Sequence, residues 1–191
     1  MADAPELTVA DAGHWRAWLD ENEGTSDGVW LVLAKKGTTA PTSLTYAQAL
    51  DEALCSGWID GRKRSRDAAT FQQHFTPRRA RSLWSTRNVD IVARLIDEGR
   101  MRPRGTDEIS RAQADGRWDR AYAGSATIEI PPDLRAALDA TPSAARAFEA
   151  LSKTARYSVL HPVVTATNDT LRAARIARHV ERLAAAPDAG D

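Results

Sequence analysis

The chain has 191 residues, 42% of them apolar and 27% charged, and its formal net charge is zero. These proportions are typical of a soluble globular protein and exclude a disordered chain. The length accommodates one domain, or one domain with a helical appendage, and the single cysteine excludes an intramolecular disulfide.

Nothing in the sequence indicates a targeting segment, a metal site or a cofactor. The N-terminus, MADAPELTVADAGHW, lacks the basic start and apolar run of a secretory signal, and no stretch is apolar enough to span a bilayer. The four histidines lie outside metal-ligand spacing of one another, and no Gly-rich phosphate loop is present. We therefore expect a cytoplasmic protein with no membrane span, no bound metal and no cofactor.

The first part of the chain predicts two helices with a strand between them. Trp15, Trp18 and Leu19 share one face of a helix that ends at Gly24. Residues 28–36, GVWLVLAKK, form an apolar run rich in Val and Trp, which indicates a strand. A second helix follows, with Thr45 as its expected N-cap.

The middle of the chain predicts a β-hairpin. A second strand over Phe71–Thr76 would place Phe71 and Phe75 on one face and His74 on the other. In the strand before it, Trp58–Asp67, alternation predicts a shared face for Trp58, Asp60, Arg62, Arg64 and Arg66.

The rest of the sequence mainly predicts helices. Apolar residues repeat at helical spacing from Ser85 to Gly99, and Thr106 is the expected N-cap of a short helix. Ala126–Ile130 fits a short strand. The last residues, PDAGD, are expected to fray. Four further helices are expected to begin near Pro132, Pro142, Ser152 and Thr170.

These elements predict an α+β fold, in which helices pack on a small antiparallel sheet and an α-helical C-terminal region follows. We divide the chain into a core domain, residues 1–130, and a helical region, residues 131–191. The core domain carries three motifs, GWIDG at residues 57–61, FTPR at residues 75–78 and SLWS at residues 82–85.

One pair of residues in the hairpin is a candidate for catalysis. Asp60 and His74 would form a proton-transfer pair if the two strands brought them within hydrogen-bond reach, although a histidine on a strand is more often a surface residue. Cys55 follows a predicted helix at the end where nothing lowers a thiol pKa, so we expect a small core residue there. The sequence leaves open whether the protein is an enzyme.

The arginines of the central stretch are the strongest indication of function. Residues 60–111 carry 13 Lys or Arg against 7 Asp or Glu, a net charge of +6, whereas residues 1–59 carry 3 against 9. Guanidinium groups beside aromatic rings suit a phosphate, a carboxylate or a nucleic-acid backbone. We therefore expect a binding module for an anionic small molecule or a protein partner. Its candidate ligand-binding residues are Trp58, Asp60, Arg62, Arg78, Trp84 and Asn88.

Two alternatives remain open for the same basic stretch. The arginines equally fit a solvated surface whose positive charges pair with the acidic N-terminal part of the chain. They also fit nucleic-acid binding through residues 60–111, although nucleic-acid-binding domains usually carry a net positive charge and this chain carries none.

The chain resembles the bacterial family called YdeI or OmpD-associated, also labelled bacteriocin-protection proteins, in three runs: ALCSGWIDGRKRSRD, FTPRRARSLWSTRN and IDEGRMRPRGTDEISRAQADGRWDRAY. The resemblance covers roughly Trp30–Phe148. It fades towards the C-terminus, where the family commonly shows Thr-Arg-x-Arg-Arg-Ile and this chain has TLRAARI at residues 170–176. The resemblance implies a part in stress resistance or in resistance to bacteriocins and other antimicrobial agents, and it brings no catalytic residues with it.

Overall fold

The computed structural model describes residues 4–185, so the expected fraying of residues 187–191 lies outside that range. The chain divides into two compact units. Unit 1 comprises Met1–Ser82 and Asn88–Asp119, and unit 2 comprises Leu83–Arg87 and Arg120–Asp191. The predicted α+β class is confirmed, with helices in the C-terminal region. The predicted domain boundary at residue 130 stays a prediction.

Unit 1 is built on a four-stranded mixed sheet in the order β1-β2-β4-β3. Strands β2, β4 and β3 are antiparallel neighbours, whereas β1 runs parallel to β2. No periodic pattern indicates β1 in the sequence, because two residues are too few to show one. The strands are β1 (Glu6–Leu7), β2 (Val29–Ala34), β3 (Trp58–Ser65) and β4 (Thr70–Pro77).

The first helices begin at local capping signals. The Thr45 side chain caps the second helix, and the Gln48 side chain accepts the Thr45 N–H at 3.0 Å, which completes a capping box. The fourth helix begins before the expected cap at Thr106, because Pro103 occupies its first turn. The helices are α1 (Ala12–Asn22), α2 (Tyr46–Cys55), α3 (Thr86–Asp97) and α4 (Pro103–Ala114).

One face of the sheet, which we call the helix face, packs against α1 and α2. The Trp15 ring lies 5.8 Å from the Phe75 ring and 6.3 Å from the Trp58 ring. The Trp18 ring lies 5.8 Å from the Trp58 ring. Trp15, Trp58 and Phe75 are fully buried, so this aromatic cluster supplies much of the apolar burial that stabilises unit 1.

A β-bulge in β3 changes which side chains share a face. Asp60 lies opposite Phe75, but Lys63 lies opposite Gln73, so β3 holds one extra residue between them. After the bulge, Arg64 lies on the face opposite the helix face. The register therefore contradicts the predicted single face of Trp58, Asp60, Arg62, Arg64 and Arg66.

The segment that leads into α4 forms hydrogen bonds with the C-terminal end of α2. Arg102 donates hydrogen bonds to the Glu52 backbone oxygen at 2.6 Å, to the Glu52 carboxylate at 2.9 Å and to Ser56 Oγ at 2.7 Å. Arg100 donates to the other Glu52 carboxylate oxygen at 2.7 Å. Cationic groups at this position satisfy free carbonyl groups and oppose the negative end of the helix dipole, so these two arginines stabilise the fold.

The described part of unit 2 contains four helices that enclose a second core. The predicted starts at Pro132 and Pro142 are confirmed, since each proline lies in the first turn of a helix. Leu134, Phe148 and Val163 are fully buried in the core. The helices are α5 (Pro132–Asp139), α6 (Pro142–Glu149), α7 (Lys153–Val164) and α8 (Asp169–Ala184).

The predicted strand over Ala126–Ile130 is absent. The Gly124 carbonyl accepts the N–H groups of Thr127 and Ile128, so the chain turns at this point and does not extend. Ile128 and Ile130 pack against the helical core of unit 2. The apolar residues that indicated a strand are therefore explained by this packing.

Two further properties concern residues 4–185 as a whole. No helix in this range is long and apolar enough to cross a membrane. In the same range, no group of three or more His, Cys, Asp or Glu side chains is arranged to hold a metal ion.

The close approach of α4 to α2 makes Gly105 a test of the fold. A Cβ at Gly105 would overlap the Cys55 carbonyl oxygen and lie 2.8 Å from the carbonyl carbon. Gly105→Ala is expected to lower the free energy of unfolding by about 1–3 kcal/mol, because backbone atoms cannot move aside without strain. Urea denaturation followed by circular dichroism measures the change. In the control, Gly124→Ala, the new Cβ meets no atom within 4 Å; equal unfolding midpoints for both variants would contradict the prediction.

Two histidines of unit 2 make the stability of the protein depend on pH. His179 is 6% exposed, and burial, followed by the charges of Arg182, Arg178 and Arg175, lowers its pKa. Burial, followed by the charge of Arg175, also lowers the pKa of His161. An unfolded histidine titrates at about pH 6.5, so below that pH the unfolded chain binds protons that the folded unit does not. The stabilisation is therefore complete above about pH 7 and is lost progressively as the pH falls below about 6.5.

We expect a lower urea midpoint at about pH 5.5 than at about pH 7.5, and a smaller difference between the two in His179→Gln. Circular dichroism at both pH values measures the midpoints. His14→Gln is the matched control, because the His14 side chain is 68% exposed. A His179→Gln variant with the full pH dependence of the wild type would contradict the assignment to His179.

Candidate functional site

An open cleft of about 940 Å³ lies in unit 1, on the face of the sheet opposite the helix face. We call this second face the cleft face. The loop before β2, the bulge of β3 and the residues at the end of β4 enclose the cleft. The residues that line it are Ala4, Pro5, Ser26, Asp27, Gly28, Arg62, His74, Thr76, Pro77, Arg78 and Arg79.

Rings and guanidinium groups are layered on the cleft face. Trp30 lies opposite His74 in the sheet, and the centroids of their rings are 4.9 Å apart. The Arg64 guanidinium lies 3.9 Å from the Trp30 ring centroid, and that of Arg62 lies 6.0 Å from it. A cation over an aromatic ring keeps its in-plane N–H donors available. Arg62 can therefore contact the ring and still donate hydrogen bonds into the cleft.

Gly28 allows the loop before β2 to lie directly against β4. Its φ is +141°, and a Cβ there would lie 2.7 Å from Thr76 Cγ2 and 3.3 Å from His74 Nε2. Only glycine fits this backbone conformation and this space. The loop residues Ser26 and Asp27 are thereby placed at the rim of the cleft.

Within residues 4–185, three charged groups of the cleft have no counter-ion. Among the described residues, the guanidinium groups of Arg62 and Arg79 and the carboxylate of Asp27 have no hydrogen bond and no ion pair. All three side chains are exposed. Arg78 is only 5% exposed and forms part of the wall. The cleft therefore presents a positive surface with one carboxylate at its rim.

Other arginines of the basic stretch are neutralised by acidic residues from the N-terminal part of the chain. This pairing agrees with one of the alternatives drawn from the sequence, but only for part of the stretch. The exposed pairs among them contribute little free energy each, whereas the two pairs with the buried Glu52 stabilise the fold, and all of them remove charge that a ligand would otherwise meet. The pairs are Arg66–Glu6 at 3.3 Å, Arg94–Asp51 at 2.8 Å, Arg100–Glu52 at 2.7 Å and Arg102–Glu52 at 2.9 Å.

Three of the residues singled out from the sequence line the cleft together. Arg62 comes from the bulge of β3, His74 from the middle of β4, and Arg78 from the residue that follows β4. The antiparallel pairing of β3 with β4 brings these positions together. Their roles in ligand binding stay predictions.

Two other candidates, Trp58 and Asp60, lie on the helix face. Trp58 is fully buried, and its indole N–H donates to the Glu23 carbonyl oxygen at 3.3 Å. The Asp60 carboxylate accepts a hydrogen bond from the Tyr46 hydroxyl at 2.8 Å. Both side chains therefore point away from the cleft.

The strand register separates Asp60 from His74. Asp60 lies opposite Phe75. His74 directly precedes Phe75 in β4, so the His74 side chain points to the other face of the sheet. A proton-transfer pair needs its two groups within hydrogen-bond reach. The hypothesis of catalysis by this pair is therefore contradicted by the sheet.

The remaining two candidates do not line the cleft. Asn88 is 8% exposed on α3. Trp84 is 2% exposed and belongs to unit 2, where its carbonyl oxygen accepts the Tyr122 N–H at 3.0 Å. Ligand binding by either residue stays a prediction.

Cys55 has the properties of a core residue. It is fully buried, and burial raises the pKa of its thiol to about 11. A thiol with that pKa is protonated at neutral pH, so Cys55 is not an activated nucleophile.

Sequence patterns alone did not identify Ser26, Asp27 or Trp30 as neighbours of the site. Gly28 directly before an apolar strand was an available signal, because it marks a turn beside the sheet. No such signal exists for Trp30, since its place beside His74 depends on which strands pair and in which register.

Comparison with known protein families gives two matches. Residues 7–108 match the model described as a domain of unknown function, DUF8412. Residues 127–186 match the model described as bacteriocin-protection, YdeI or OmpD-associated. No curated protein and no solved structure matches the chain.

The second match confirms the resemblance to the YdeI or OmpD-associated family but changes its location. The match lies in the C-terminal part, where the resemblance was expected to fade, and the cleft lies outside it. The cleft residues from Ser26 to Arg79 fall within the first match instead. Because that match spans more than half of the 191 residues, the chain belongs to the DUF8412 family, and its residues 127–186 are similar to the YdeI or OmpD-associated family.

Proposed function

We propose that the protein is a binding module whose cleft holds a small anionic ligand. The observation that carries this proposal is the pair of guanidinium groups of Arg62 and Arg79, which line the cleft without a carboxylate partner in the part of the chain that the structure describes. A guanidinium group presents N–H donors in a planar fork that matches the oxygens of phosphates and carboxylates. One anion between these side chains would satisfy both groups.

The other groups in the cleft support the same class of ligand. The Thr76 hydroxyl and the His74 ring add hydrogen-bonding groups beside the arginines. The Arg78 side chain is almost entirely buried, so its charge acts through a medium less polarisable than water. The volume of about 940 Å³ lies within the range of small-molecule sites. An anionic group on a protein partner would make the same contacts.

Nucleic acid is the second candidate ligand, favoured by the net charge of +6 over residues 60–111. A nucleic-acid backbone is held by many unpaired cations at once. Four arginines of this stretch already pair with Glu6, Asp51 or Glu52. The small anion, which needs only the few cations of the cleft, is therefore the better-supported ligand.

We further propose that this binding serves stress resistance or resistance to bacteriocins and other antimicrobial agents. The support is the segment at residues 127–186, whose family carries bacteriocin protection in its description. In this proposal, unit 1 supplies the ligand-binding cleft and the C-terminal segment supplies the link to resistance.

Replacing the two unpaired arginines tests the binding function. We expect Arg62→Ala/Arg79→Ala to weaken the binding of inorganic phosphate and of pyrophosphate about tenfold or more, because a hydrogen bond to a charged group is worth about 1.5–3 kcal/mol. Isothermal titration calorimetry at low ionic strength measures the Kd values.

The matched control is Arg16→Ala/Lys36→Ala, which removes the same charge from two exposed basic residues outside the cleft lining. It is expected to bind both probes within about twofold of the wild type, because distant surface charges are screened. If both double variants lost phosphate affinity equally, the loss would be explained by the overall charge of the protein, and a site in the cleft would be contradicted. Nucleic-acid binding that survives in Arg62→Ala/Arg79→Ala would favour the second candidate.

A further inference from the structure

We infer that the ligand of the cleft is a phosphate monoester that also carries vicinal hydroxyl groups, as in a sugar phosphate or a nucleoside monophosphate. This inference rests on the proposed anion-binding function and extends it to the rest of the ligand. The arginines hold the phosphate, and Asp27 with Ser26 holds the hydroxyl groups.

The carboxylate of Asp27 carries the inference. It lines a cleft whose other charged side chains are cationic, yet among the described residues it forms no ion pair and no hydrogen bond. A carboxylate only accepts hydrogen bonds, so it contributes to binding when the ligand presents donors. Beside a bare phosphate it would repel the ligand. The cleft therefore fits a ligand with an anionic end and a donor end.

The arrangement of the strands separates the two ends of the ligand. Asp27 lies in the loop before β2, whereas Arg62 lies on β3, and β4 runs between these two strands. Neighbouring strands lie about 4.8 Å apart, so the backbones of β2 and β3 are about 10 Å apart. Asp27 and Arg62 therefore extend from backbones on opposite sides of the cleft, and a ligand longer than a phosphate group, such as a pentose phosphate, can contact both.

Hydroxyl donors suit Asp27 better than an ammonium group does. The cleft holds the side chains of Arg62, Arg78 and Arg79 against one carboxylate, so a second positive charge would be repelled. Two adjacent hydroxyl groups can donate to both oxygens of one carboxylate. The Ser26 hydroxyl, which accepts the Gly28 N–H at 3.2 Å, can still donate its own hydrogen to a ligand oxygen.

Calorimetry on the full chain with five probes tests the inference. The probes are inorganic phosphate, ribose 5-phosphate, 2-deoxyribose 5-phosphate, adenosine monophosphate and phosphoethanolamine. We expect ribose 5-phosphate to bind about tenfold tighter than inorganic phosphate and tighter than its 2-deoxy form, which lacks one of the adjacent hydroxyl groups. If adenosine monophosphate binds more tightly than ribose 5-phosphate, the ligand is a nucleoside monophosphate. If it binds more weakly, the ligand is a free sugar phosphate. Both results support the inference.

Asp27→Asn separates this inference from the proposed function. Because Asp27 is exposed, the variant is expected to keep the wild-type melting temperature. It should bind ribose 5-phosphate and inorganic phosphate within about twofold of each other, with no loss of phosphate affinity.

Three results would overturn the inference but leave the proposed function in place, provided that the wild type binds phosphate. They are equal wild-type affinity for phosphate and ribose 5-phosphate, tightest binding of phosphoethanolamine, and an equal loss for every probe in Asp27→Asn. Absence of phosphate binding in the wild type would overturn the proposed function, and the inference with it.

Discussion

The candidate site depends on the one-residue insertion in β3. Side chains of a strand alternate between faces, so an extra residue between Asp60 and Lys63 sends everything that follows to the opposite face. Arg64 consequently lies over the Trp30 ring, on the face away from the buried aromatic cluster. With uninterrupted alternation its guanidinium group would face α1 and α2, where burial of an unpaired charge is costly. The bulge thus allows one strand to contribute to an apolar core and to a basic cleft.

The arginines of the basic stretch serve two purposes, and their place in the fold decides which. Arg100 and Arg102 lie in the segment before α4, beside the carboxylate at the end of α2, and they stabilise that junction. Arg62 and Arg79 belong to the hairpin and the residues after it, where no acidic side chain reaches them within the described residues. A count of charges along the chain cannot make this distinction, so it overstates the charge that a ligand meets.

Features encoded by neighbouring residues could be predicted from the sequence, and features created by strand pairing could not. The Thr45 cap, the proline starts of α5 and α6 and the alternation in β4 all depend on local spacing, and they occur as expected. The sequence predicts Trp58 and Trp84 as the aromatic neighbours of the arginines, because both are close to them along the chain. The sheet places Trp30 there instead, because β2 pairs with β4 and the bulge reverses the faces.

The floor of the cleft is fixed by two glycines as well as by the sheet. A Cβ at Gly28 would lie 3.3 Å from Nε2 of His74, and a Cβ at Gly61 would lie 3.5 Å from its Nδ1. The imidazole therefore lies between two backbone segments that carry no side chains, and the Trp30 ring packs against it. A floor that is ordered before binding lowers the entropy lost when a ligand is held. The charged groups of Arg62, Arg79 and Asp27 are exposed around this floor. The positions of charged and hydrogen-bonding groups would therefore select the ligand more strongly than the shape of the open cleft.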